Sequence, residues 1–290
     1  MLPFGSNWEQ DPSSAPSLTI DGSSGRHQKG MNCPMKQRDS LLVYVILVCI
    51  SIPFWIVGSI FPVFLLPGLP LSALMFVAPT MAVIIYLSIT GNLSFLNTIS
   101  NALFEGVFKR TTPSVYWACL VMPLILGVSL LIQYLSGNIG SLEPLRIATV
   151  AVLPIVFLIA AIGEETFWSG CLLSAGIVNK RFYYSIWIAI AYVVWHAIPL
   201  VQTGNTSQWV VGQILFSFAM RILIIEIYCL FNYHAIVAIL MHASYNVAWQ
   251  LFPNSGSFYN PWPAALCTVL AILAAEITIR NSHQTTINAS

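Results

Sequence analysis

Two adjacent carboxylates, Glu164 and Glu165, are followed by two isolated histidines, His196 and His242, and by Asn246, all within strongly apolar sequence. An ionisable side chain at membrane depth costs at least a few kcal/mol unless it is paired or hydrated, so each one asks for a partner or a task. A glutamate and a histidine at hydrogen-bond distance can hold and deprotonate a water molecule. A second histidine with a carboxamide one helical turn away offers donors to a developing oxyanion. Together these groups can hydrolyse without a covalent nucleophile. Each residue alone has a blander reading, because single intramembrane His and Asn side chains commonly serve as interhelical hydrogen-bonders. Neighbouring carboxylates with two histidines at compatible depths do not reduce to that.

Depth is the first test of convergence. Glu164 lies sixteen residues before Lys180, and His196 lies fifteen after Arg181. A helical hairpin turning at Lys180–Arg181 puts both side chains at one level, roughly 22–24 Å along the helices from the turn. His242 and Asn246 are four apart and share one helix face.

Two other chemistries compete with this one. Ser169, Cys171 and Ser174 are nearby nucleophile candidates, but no Gly-x-Ser-x-Gly elbow surrounds either serine. Glu164, His196 and His242 can bind zinc, although the H-E-x-x-H helix of zinc proteases is absent. The expectation is a site that requires no cofactor, with zinc as the alternative.

The elements that must position these groups are membrane helices. Hydrophobic residues make up 57% of the chain and charged residues 7%, with a mean hydropathy of +0.80, which excludes an ordinary soluble domain. No charge occurs between Asp39 and Glu105, a stretch long enough for two crossings. The net charge of +1, with no basic stripe, speaks against nucleic acid as a partner. The six scattered cysteines form no C-x-x-C pair and read as small apolar packing residues.

The hydropathy pattern predicts an all-α polytopic bundle of about eight transmembrane helices, near 41–63, 70–90, 115–136, 147–178, 183–202, 208–230, 233–252 and 262–279. The fourth is long enough to tilt or project. Residues 1–40 are polar and read as a disordered cytoplasmic tail, 41–280 as the transmembrane domain, and 281–290 as a short C-terminal tail. Residues 92–112 read as a surface loop or an interfacial helix. With an even number of spans, nearly all basic residues outside the membrane fall on one side, and only Arg146 on the other. The positive-inside rule then makes both termini cytoplasmic.

Glu164-Glu165-Thr166-Phe167-Trp168-Ser169, Tyr192-Val193-Val194-Trp195-His196 and His242-Ala243-Ser244-Tyr245-Asn246 resemble the three motifs of the CPBP intramembrane protease family. That family includes CAAX-prenyl endopeptidases and bacteriocin-processing and immunity proteins, and its pattern is E-E-x-x-x-R, F-x-x-x-H and H-x-x-x-N or D on successive helices. The likeness covers a core of about 147–252. It implies that Glu164 and His196 activate water, that His242 and Asn246 stabilise the oxyanion, and that Glu165 supports the first motif. Two positions depart from the pattern: Ser169 stands where the family has Arg, and Tyr192 where it usually has Phe. Arg221, in the sixth span, is the candidate for the missing positive charge; an ion pair with Glu226 is its alternative.

The resemblance implies an intramembrane endopeptidase in a bacterial plasma membrane, acting on a peptide or lipidated peptide, with CAAX-type processing one form of it. Membrane lipids would be its other partners. The alternative is a catalytically inactive scaffold or immunity factor that keeps the fold, and the missing arginine is its best argument. A proton-relaying transporter finds no support in an inverted repeat or a pair of broken helices.

Overall fold

A computed structural model describes residues 37–66, 68–91, 113–139, 147–173, 181–231, 234–253, 256 and 259–289. The chain opens with helix α1 (Gln37–Ile60) and a two-stranded antiparallel hairpin, β1 (Phe64–Leu66) and β2 (Leu69–Pro70). A 3-10 turn, Leu71–Val77, leads into α2 (Ala78–Thr90). Then come α3 (Pro113–Leu135), α4 (Ile147–Glu165), α5 (Arg181–Gln202), α6 (Ser207–Leu230), α7 (Ala235–Gln250) and α8 (Pro261–Ala289). α4 does not end at Glu165: it runs on as a π-helical segment, Thr166–Leu172.

Seven helices among the described residues are long and apolar enough to cross a membrane, and side chains such as Leu135, Trp117 and Ile89 face outward without cover. This is a multi-pass membrane protein with a helical polytopic bundle. The seventh expected span, 233–252, is the exception. It forms α7, of 16 residues, about 24 Å long at 1.5 Å per residue, which is short of a hydrocarbon core of about 30 Å. α7 is instead an inner helix, packed between α3 and α4 and against α6. Its alanines make that possible: Ala235, Ile239 and Ala243 form one buried cluster with Ala161 of α4, and small residues let helix backbones come close.

α6 packs against α5 and α8, while α1 packs on α2 and the 3-10 turn. Polar tethers fix the α1–α5 register: Tyr44 Oη donates to the Ala191 carbonyl at 3.0 Å and Trp195 Nε1 to Ser51 Oγ at 2.7 Å. The α6 N-terminus is capped by Thr206, whose hydroxyl accepts from the Trp209 amide at 3.3 Å. Two glycines are required by geometry. A Cβ on Gly163 would lie 2.7 Å from Thr80 Oγ1, so α4 meets α2 there only because the side chain is absent. Gly68 turns the hairpin at φ 74° with Trp249 of α7 directly against it.

Successive helices alternate in direction, so the ends of α1, α3, α5 and α7 share one face with the starts of α6 and α8. The hairpin lies on that face too, and the opposite face carries the start of α1 and the end of α8. Helix α1 begins at Gln37 and α8 continues to Ala289. The reading of 92–112 as loop or interfacial helix falls outside the described residues, as do residues 174–178 of the expected fourth span.

Candidate active site

Glu165, at the point where α4 gives way to the π segment, is held from three directions. Both carboxylate oxygens accept from Arg221 Nη1 of α6, each at 2.8 Å. Oε1 also accepts from His242 Nδ1 of α7 at 2.6 Å, and Oε2 from Ser169 Oγ at 2.5 Å. Charge-assisted bonds of this length rank among the strong ones, and they tie α4, α6 and α7 together at one level. The ring of Tyr192 lies under the guanidinium, 4.2 Å from Cζ to the ring centroid, and the Trp168 ring is 5.9 Å away. Arg221 Nε and Nη2 are buried without hydrogen-bond acceptors. The aromatic faces therefore provide the main electrostatic compensation for that side of the cation.

Glu164 and Glu165 are the last two residues of the α-helical part of α4 and, at 3.6 residues per turn, point about 100° apart; the π segment follows them. A π turn inserts an extra residue and rotates the helix beyond it, and such bulges recur at functional sites. It sets Ser169 back onto Glu165 and buries Phe167 and Trp168 completely beneath it.

Glu164 has the opposite environment. Its Oε2 is buried with no hydrogen-bond partner and lies 3.9 Å from His242 Nε2. Because the Glu165 carboxylate can only accept, His242 Nδ1 carries the hydrogen, which leaves Nε2 as the acceptor facing Glu164. A separation of 3.9 Å is one that a bridging water spans. His196 is set in the same way: its Nδ1 lies 3.0 Å from the Tyr192 carbonyl, so Nδ1 donates and Nε2 is the free acceptor.

Glu164, His196, His242 and Asn246 all line a single cavity of about 400 Å³. Sequence reasoning brought these four together and the structure does the same, with one change: the imidazole nearest Glu164 belongs to His242. Of the supporting residues, Glu165, Ser169 and Arg221 form the knot under the cavity floor, and Tyr192 lines the cavity with its ring against the guanidinium. Arg221 is on Glu165, while Glu226 accepts from Ser185 Oγ at 2.8 Å. Of the nucleophile candidates, Ser169 is committed to Glu165, Cys171 is buried and Ser174 lies outside the described residues.

The zinc set does not assemble. Among the described residues no three His, Cys, Asp or Glu side chains come together as a metal group. No step is assigned to a metal here.

Sequence reasoning missed Gln213, Ser217 and Tyr245 on the cavity wall, where Gln213 Nε2 donates to Tyr245 Oη at 3.0 Å. A signal was present. Gln213, Ser217 and Arg221 recur every four residues in an otherwise apolar span, a polar stripe on one helix face.

A buried acid, two imidazoles and a carboxamide line one cavity in a membrane bundle. Residues 146–248, roughly a third of the chain, match the family model described as type II CAAX prenyl endopeptidase Rce1-like. This match supports the CPBP/CAAX protease family for the chain and, at family level, a CAAX-type intramembrane protease. No curated protein matches the chain.

Proposed function

We propose that the protein is an intramembrane endopeptidase that cuts a peptide bond with water held between Glu164 and His242. The observation that carries this is the 3.9 Å gap between Glu164 Oε2, which has no partner, and His242 Nε2. Glu164 takes a proton from the water as its oxygen bonds to the scissile carbonyl carbon. The Asn246 carboxamide donates to the resulting oxyanion. The C–N bond then breaks, and the proton on Glu164 passes to the leaving amine. His196, with Nε2 as acceptor, takes a hydrogen bond from the substrate amide N–H. Glu165 and Arg221 position His242 and do not touch the substrate.

The rival reading, an inactive scaffold or immunity factor, rests on the arginine missing at Ser169. Arg221 weakens that argument because it brings a guanidinium to Glu165 from another helix. A peptide or lipidated peptide is the substrate class, in a bacterial plasma membrane with both termini cytoplasmic. The test is purification in detergent and cleavage of a peptide library, with Glu164→Gln as control. Cleavage by the native chain and none by the variant supports the proposal, and no cleavage by either removes it. A chelator is expected to leave the rate unchanged; loss restored by zinc would bring back the Glu164, His196 and His242 metal set.

A further inference from the structure

Resting on the proteolytic reading, we infer that Gln213, anchored by Tyr245, grips the main chain of the substrate beside the bond to be cut and holds it extended along α6. Neither residue belongs to the group that activates water. Among the described residues, three buried polar atoms without a hydrogen-bond partner sit on side chains that line the cavity: Glu164 Oε2, Gln213 Oε1 and Trp249 Nε1. The first is the acid already assigned. The other two are an acceptor on α6 and a donor on α7, and an aliphatic occupant would satisfy neither.

A buried carboxamide that only ties helices together uses both of its ends. Gln133 does so: its Nε2 donates to the Ser129 carbonyl at 3.1 Å, and its Oε1 accepts from the Asn260 amide at 3.1 Å. Gln213, 4% exposed, uses one end. Its Nε2 donates to Tyr245 Oη at 3.0 Å, which fixes the carboxamide and leaves Oε1 bare. Tyr245 is steadied in turn by Phe216, with ring centroids 5.3 Å apart. Because the Tyr245 oxygen accepts from Gln213, its own hydrogen remains to be donated, and no acceptor for it occurs among the described residues. The pair thus presents one acceptor and one donor to the cavity. In an extended chain the N–H and C=O of one residue point to the same side, as in an antiparallel ladder, and they are the complement of that pair.

The spacing along α6 agrees. Ser217 lies one turn beyond Gln213 and lines the same cavity. Four residues of helix rise about 6 Å, close to the roughly 6.6 Å after which an extended chain presents the same edge again. Gln213 and Ser217 therefore face alternate residues of one strand. The next step along the stripe, Arg221, is closed off against Glu165, so the rail stops at the floor of the cavity. A hydrocarbon chain has no group to offer Gln213. The α6 wall selects for peptide.

The test is a binding measurement on the purified full chain carrying Glu164→Gln, so that no probe is consumed. Short dye-labelled peptides of the library are titrated against it in detergent by fluorescence anisotropy, with empty micelles as background. The tightest binder is then remade with one backbone amide at a time replaced by an ester, which removes a single N–H. One ester position is expected to weaken binding about tenfold. Adding Gln213→Leu should weaken the all-amide peptide by a similar factor and erase the difference between that ester and the amide, which a merely structural role would leave in place. Tyr245→Phe keeps the ring and removes the hydroxyl; it should lose part of the same discrimination, and it stands in where Gln213→Leu does not accumulate. A scan that is flat at every position, discrimination that survives Gln213→Leu, or no peptide binding at all overturns the inference. Cleavage by the native chain together with a flat scan would remove the grip and leave the protease reading. The expected pattern without cleavage by the native chain would do the reverse.

Discussion

Glu164 and Glu165 are chain neighbours in regions built on opposite principles. Below the cavity floor, Glu165 is saturated: a guanidinium, an imidazole N–H and a hydroxyl converge on it, and aromatic rings close over the cation. Above the floor, Glu164 keeps a bare oxygen beside an imidazole acceptor and a cavity. The first region spends its charges on each other and is architecture. The second leaves its polar capacity unused, which is what a site that must take up a reactant requires. Sequence adjacency hides this division, because both residues are simply glutamates in an apolar run.

The contrast is sharpest in a pair of isosteric changes. Glu164→Gln should lower hydrolysis by about 10²–10⁴-fold while the amount and thermal midpoint of purified protein stay at native values. Glu165→Gln should act mainly on stability, with loss of folded protein measured by thermal unfolding in detergent. If the two variants behave alike, the division between the regions is wrong. Next in size is Arg221→Leu, which strands a buried carboxylate and should cost about 3–5 kcal/mol. The double variant with Glu165→Leu should recover part of that stability. Glu226→Gln should leave activity at native levels, and if it instead matched Arg221→Leu, the charge argument for Arg221 would fall. A smaller effect is expected for Gly163→Ala, about 1–3 kcal/mol from overpacking against Thr80. It should lower activity as well, because Glu164 is the next residue. The smallest is Ser169→Ala, about 1 kcal/mol for one hydrogen bond of four to Glu165, read as a modest fall in midpoint.

Much of this was legible in the sequence because hydrocarbon punishes polar residues and so makes them conspicuous. The runs between polar breaks located the helices, and the counts from Lys180–Arg181 put Glu164 and His196 at one depth. Arg221 could be matched to the first motif because few other charges share its environment. The features that escaped notice obey no hydropathy rule. The π segment at Thr166–Leu172 has the same apolar content as an α-helix, yet Ser169 returns from it to Glu165. The hairpin is too short to show alternation, and its turn depends on one glycine meeting a tryptophan nearly two hundred residues away. α7 reads as a span by composition, but its length and its alanine contacts make it an inner helix. Counting by depth paired Glu164 with His196, and both line the cavity; the 3.9 Å from Glu164 Oε2 to His242 Nε2 is what brings His242 forward.

Val152, Val156, Ala160 and Glu164 line the cavity as one stripe along α4, and that stripe has a length. Twelve residues of helix rise about 18 Å, and a fully extended chain covers that distance in roughly five or six residues. On the proposed protease reading, a polypeptide that reaches the acid along that stripe would be extended over that stretch. The bond it offers then lies at a nearly constant count from the point where it enters the rim. The bundle would act as a ruler, choosing where to cut by reach more than by side-chain identity.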